Sequence, residues 1–173
     1  GDRHRDLITQ TLLLGCIAAL CALAAGVPLG IALAGCDPRR VRLARFALLV
    51  PLALPSYVLA LAWVTLAGTR FAAWTYSLPS AALVLGFCFF PIVMLATEAA
   101  VRSVPSHLAE AGWIVAPPLR VWSRILMPLI APPLAASTLV VFALSISDFA
   151  VPSLLRIRVY TTEIFTAFAA LYD

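Results

Sequence analysis

The chain has 173 residues, 63% of them hydrophobic and 12% charged, with a mean hydropathy of +1.02 and a formal net charge of +4. Soluble domains run about half apolar and about a quarter charged, so this composition excludes a fold bathed in water on all sides. Every one of the twelve basic residues is an arginine and they are dispersed along the chain, which argues against a nucleic-acid surface and leaves the charge to report on membrane topology.

Four apolar stretches, at about 8–34, 46–68, 78–97 and 125–146, each approach the roughly 20 residues that a helix needs to cross a bilayer. The first is longer than the roughly 7–15 residue core of a signal peptide, and three more follow it, so it reads as a span. Its Gly15, Gly26, Pro28, Gly30 and Gly35, set among many alanines, permit close helix contact and a bend near Pro28. Asp37-Pro38-Arg39-Arg40 forms a polar turn. The second span then carries Pro51 and Pro55, one helical turn apart and followed by Ser56 and Tyr57, and reads as a helix kinked by two missing backbone donors.

Arg70, Trp74 and Tyr76 suit a short external loop at the headgroup level, with Trp63 and Trp74 as packing and interface anchors. The third span holds Phe87, Phe89, Phe90 and Pro91 and ends at Thr97-Glu98, with Glu98 expected at the cytoplasmic boundary rather than buried. Residues 101–124 change character. Arg102, Ser103, Ser106, His107, Glu110, Arg120 and Arg124 interleave with Leu108, Trp113, Leu119 and Trp122, which predicts two short amphipathic, non-spanning helices joined at a Pro117-Pro118 elbow. After the fourth span, the run Ser145 to Arg156 is expected to leave the membrane, with Asp148 at the outer exit, where it either lines the mouth of a pathway or caps a helix end. An amphipathic helix begins at Thr161. The chain stops at Asp173 without a closing span, as expected for part of a longer protein.

Arg39, Arg40, Arg42, Arg45, Arg102, Arg120 and Arg124 fall on one side of this topology, against Arg3, Arg5, Arg70, Arg156 and Arg158 on the other, partly balanced by Asp2, Asp6 and Asp148. The richer side is expected to be cytoplasmic, placing the N-terminus outside. Cys16, Cys21, Cys36 and Cys88 have no CxxC spacing and read as small packing residues.

There is no lysine, so no GxxxxGK[ST] phosphate loop exists in the chain, and no HExxH, GxSxG or paired intramembrane carboxylates appear. The reading is of a non-enzyme with no cofactor and no metal site. The spans also lack the mid-membrane ionisable groups of ion-coupled carriers, so energy for uphill transport must come from a partner; a gradient-driven carrier or channel subunit is the alternative.

The run Pro105-Ser-His-Leu-Ala-Glu110-Ala-Gly-Trp-Ile-Val-Ala116-Pro-Pro118-Leu-Arg-Val-Trp-Ser-Arg-Ile125-Leu-Met-Pro128 resembles the EAA loop of ABC importer permeases, whose pattern is EAA, three residues, glycine, nine residues, then IxLP. It departs from that pattern at Gly112, at Ala116 and in being one residue short before Pro128. The Pro51 to Val58 run, Phe90-Pro91 and Ser147-Asp148-Phe-Ala-Val-Pro152 also resemble ferric-iron and related permeases in order and spacing. The resemblance implies an all-α polytopic membrane helical bundle, a partial type I (MetI-like) permease core spanning 1–173 as one domain in the bacterial inner membrane. It implies a separate ATPase subunit docked through Glu110, Ala111, Gly112, Trp113, Ala116, Pro118, Arg120 and Pro128. A periplasmic substrate-binding protein, a second permease half and the lipid bilayer complete the partners, with no nucleic acid. An interfacial loop lying on lipid is the other reading of 101–124. Ferric iron is the cargo that the resemblance favours, although sulfate, thiamine, phosphonate and polyamine permeases share the core. Pro55, Ser56, Tyr57 and Asp148 are the candidate pathway residues.

Overall fold

A computed structural model of the chain describes residues 2–67, 71–105, 117, 120, 124 and 126–171. Its helices are α1 (Asp2–Ala34), α2 (Arg42–Ala53), α3 (Ser56–Ala67), α4 (Ala72–Thr75), α5 (Leu78–Ser103), α6 (Met127–Ser147), α7 (Ala150–Leu154) and α8 (Tyr160–Leu171), and there is no strand among the described residues. Three of them, α1, α5 and α6, are long and apolar enough to span a membrane. α1 continues through Pro28 as one helix of 33 residues. The helix expected from Thr161 is α8, beginning at Tyr160.

The stretch at 46–68 is not one kinked span. It is two helices, α2 and α3, meeting at 91° across Leu54-Pro55. Leu54 precedes a proline and is therefore driven out of the helical region, to φ −84° and ψ 139°. Pro55 also has no N–H to offer the carbonyl of Pro51, four residues back. That carbonyl accepts from the Cys88 thiol of α5 instead, at 3.7 Å. α2 continues through Pro51 to Ala53, so the break itself lies at Pro55.

α1 and α5 form the main seam of the bundle, and α6 packs against both. The seam is a backbone-to-backbone contact made at glycines. A methyl added to Gly26 would lie 2.9 Å from the Phe90 carbonyl oxygen, one added to Gly30 2.6 Å from that of Met94, and one added to Gly86 of α5 2.9 Å from that of Ala18. Spans that cannot use the hydrophobic effect between apolar helices gain dispersion contact from such approaches. Trp63 of α3 packs against Trp74 in a tilted contact with ring centroids 5.5 Å apart and donates its indole N–H to Ser80 Oγ at 2.8 Å, which ties α3 and α4 to the start of α5.

Beyond α6 the chain turns back into the bundle rather than leaving it. Val151, Leu155 and Val159 are fully buried, in one cluster with Leu14 and Ala18 of α1, Ala60 of α3 and Ala81, Val84 and Leu85 of α5. α7 ends at Leu154, so these three come inward from the helix, its C-cap and the non-helical segment after Arg156, and together they cover apolar surface on three helices. α7 closes by a left-handed residue, Arg156 at φ 56°, with Ile157 N–H donating to Pro152 O at 2.8 Å and Arg156 N–H to Ser153 O at 3.2 Å.

Candidate functional site

Two polar junctions interrupt the apolar bundle, and both involve the broken helix. The first lies at the break itself. Ser56, the first residue of α3, donates its hydroxyl to Asp148 Oδ2 at 2.6 Å, while Asp148 Oδ1 accepts the Val151 N–H of α7 at 2.9 Å. One carboxylate thus sits at the N-terminal ends of α3 and α7, where unpaired N–H groups and the helix dipoles favour a negative charge. Pro51, at the foot of the break, touches Cys88, close to the midpoint of α5. Asp148 therefore joins two chain breaks, α2 to α3 and α6 to α7, directly after the last residue of α6. Of its two sequence readings, the helix cap is realised directly. Asp148→Asn keeps the side-chain size but removes the charge from two hydrogen bonds, and is expected to lower stability by about 1.5–3 kcal/mol, measured as a reduced thermal unfolding midpoint in detergent.

The second junction ties three helix ends together. Glu98 is 4% exposed, which corrects the expectation that it would not be buried. Its Oε1 accepts from the Arg45 guanidinium in the first turn of α2 and from Arg102 Nε, one turn further along α5, at 3.0 Å. Arg102 also donates to the carbonyls of Leu33 at 2.8 Å and Cys36 at 3.1 Å, covering the C-terminal end of α1. A buried carboxylate is tolerable only with such partners, and the last carbonyls of α1 have no intrahelical donors of their own. The sequence signal for this cluster was the spacing of Glu98 and Arg102 at i, i+4; nothing local marks Arg45 as the third member.

The structure brings Ser56 and Asp148 together and places Pro55 in the break, while Tyr57 is half exposed and makes no side-chain hydrogen bond among the described residues. Pro128 is the second residue of α6 and exposed, a position where its fixed φ and missing N–H suit a helix start. Arg120 donates its backbone N–H to Pro117 O at 2.9 Å. Glu110, Ala111, Gly112, Trp113, Ala116 and Pro118, and with them the two short helices expected around the proline elbow, lie outside the described residues.

The described residues thus form a helical bundle with one bent helix pair and two polar junctions. A model of the binding-protein-dependent transport system inner membrane component matches residues 26–167. The chain belongs to this family. It is thus a multi-pass permease of a binding-protein-dependent ABC importer, a transport family rather than an enzyme family, and membership implies an ATPase and a substrate-binding protein as its partners. No individual curated protein matches the chain significantly. The matched region of the permease includes both junctions and the whole segment between α5 and α6.

Proposed function

We propose that this permease forms half of a solute pathway whose alternating access is driven by a separate ATPase dimer docked on residues 101–124, with a second permease half completing the pathway. Family membership supports the division of labour. The observation that carries the pathway reading is the meeting of two chain breaks across Ser56 and Asp148. Helix breaks at membrane depth are tolerated where the backbone is buried in protein or lines a cavity, transporters place solute sites at such discontinuous helices, and a jointed span can change shape at little cost. On this reading Pro55, Ser56, Tyr57 and Asp148 border the pathway. Glu110 is a polar anchor to the ATPase, with Ala111, Gly112, Trp113, Ala116, Pro118, Arg120 and Pro128 shaping the docking segment. The N-terminus of this segment is periplasmic, and ferric iron, delivered by the binding protein, is the cargo that the sequence resemblance favours.

The test is co-purification of the full-length permease with its ATPase subunit, comparing the native chain with Glu110→Lys and with a Gly-Ser replacement of residues 109–118. Both changes are expected to abolish ATPase binding while membrane insertion persists. Undiminished binding in the replacement would overturn the docking assignment. Uptake of labelled ferric iron by proteoliposomes holding the complete importer and its binding protein then decides the cargo.

A further inference from the structure

We infer that Arg45, Glu98 and Arg102 are positioning residues of the transport cycle: they carry movement of the cytoplasmic end of α5 to α1 and α2 as one unit, leaving α3 behind at the Leu54-Pro55 joint. The inference rests on the coupling reading above, since Arg102 stands in the last turn of α5 and residues 101–124 begin there.

Four polar contacts converge on two residues of α5. Glu98 holds the first turn of α2 through Arg45, and Arg102 holds the end of α1 through the Leu33 and Cys36 carbonyls while pairing with Glu98 itself. Below this clasp α1 cannot slide freely on α5, because Gly26 and Gly30 are already in backbone contact with Phe90 and Met94. α2 runs antiparallel to α5: Arg45 meets Glu98 and Pro51 meets Cys88, so the contacts separate by ten residues on α5, about 15 Å at 1.5 Å per residue. A displacement of the α5 end therefore acts on α2 along its length.

α3 has different attachments. It is held by Asp148 before α7, by the apolar cluster around Val151, and by Trp63 on Ser80 near the other end of α5. The 91° break separates these two sets of contacts. No intrahelical hydrogen bond between residues of α2 and α3 stiffens the joint at Pro55, which lacks the N–H that would make one. The charged clasp thus selects which half of the broken span follows α5.

The test uses the full-length permease assembled with its ATPase and second half in proteoliposomes. Spin labels at Leu43 on α2 and Leu139 on α6, both strongly exposed, report the distance between the two helices, and a Leu66 to Leu139 pair reports on α3. Addition of a non-hydrolysable ATP analogue is expected to shift the Leu43–Leu139 distance in the native protein. Arg45→Gln and Glu98→Gln should lose at least half of that shift with the ATPase still bound, and Arg45→Lys, which keeps the charge, should retain it. The inference is overturned if Arg45→Gln keeps the whole shift, if the native protein shows none, if Arg45→Lys loses as much as Arg45→Gln, or if the glutamine variants detach the ATPase, which would make the clasp a folding contact alone. The Gly-Ser replacement of 109–118 separates this from failure of the coupling reading. An ATPase still bound to that replacement sinks the coupling reading, whereas a detached ATPase together with an intact shift in Arg45→Gln sinks only the clasp.

Discussion

Replacing Gly30 by leucine is expected to separate α1 from α5 and to leave the permease unable to hold its native bundle. The added Cβ alone would stand 2.6 Å from the Met94 carbonyl oxygen and 2.6 Å from Thr97 Cβ, and the first of these is backbone that cannot rotate away. Overpacking a fitted core costs about 1–3 kcal/mol and occasionally more, and here the remainder of a leucine must also find room. Gly30→Ala should already lower the thermal unfolding midpoint in detergent, and Gly30→Leu should abolish a cooperative transition. Gly35→Ala is the control: its nearest neighbours would be at 3.7 and 3.8 Å, ordinary contact distances, and its midpoint should match the native protein. Equal behaviour of the Gly30 and Gly35 alanine variants would mean that the seam is looser than this geometry requires.

Glu98→Ala is expected to destabilise the bundle by about 1.5–3 kcal/mol, the range for losing hydrogen bonds to a charged group, because the two arginines it leaves behind are each about a third exposed and partly screened by solvent. It leaves the Arg45 and Arg102 guanidiniums with no carboxylate between them, at a site where the fold keeps the Glu98 side chain out of solvent. The companion variant is informative. Replacing Arg45, Glu98 and Arg102 together by methionine, leucine and methionine removes the charges as well as the pairing, and should recover part of the loss, as apolar substitutes of buried ion clusters do. Recovery should stay incomplete, because the Leu33 and Cys36 carbonyls would lose their donor. Asp37→Ala, which removes an exposed contact to the Arg39 N–H, should shift the unfolding midpoint little beside Glu98→Ala. A Glu98→Ala protein as stable as Asp37→Ala would contradict the burial described here.

What the sequence determined by itself is the class of the molecule. The apolar stretches, the twelve arginines without a lysine, and the EAA-like run placed the chain in a membrane among binding-protein-dependent permeases, and the family match upholds that placement. These features are legible because the bilayer imposes length and hydropathy one helix at a time, with no reference to neighbours. Some interior detail was also within reach: Leu54 ahead of Pro55, with Pro51 four residues earlier, carries the signature of a break. What only the tertiary structure decided is which of these signals prevails. The span breaks at 91° rather than kinking, with the stranded Pro51 carbonyl accepting from the Cys88 thiol on another helix. Asp148 is tied to α3 because Ser56, 92 residues away, supplies a hydroxyl for it. Glu98 is buried because arginines on two helices and the open end of a third surround it. Each of these outcomes depends on a hydrogen-bond partner distant in the chain, and in a low-dielectric interior an unpaired polar group costs more than local propensity can offset, so long-range pairing has the final say.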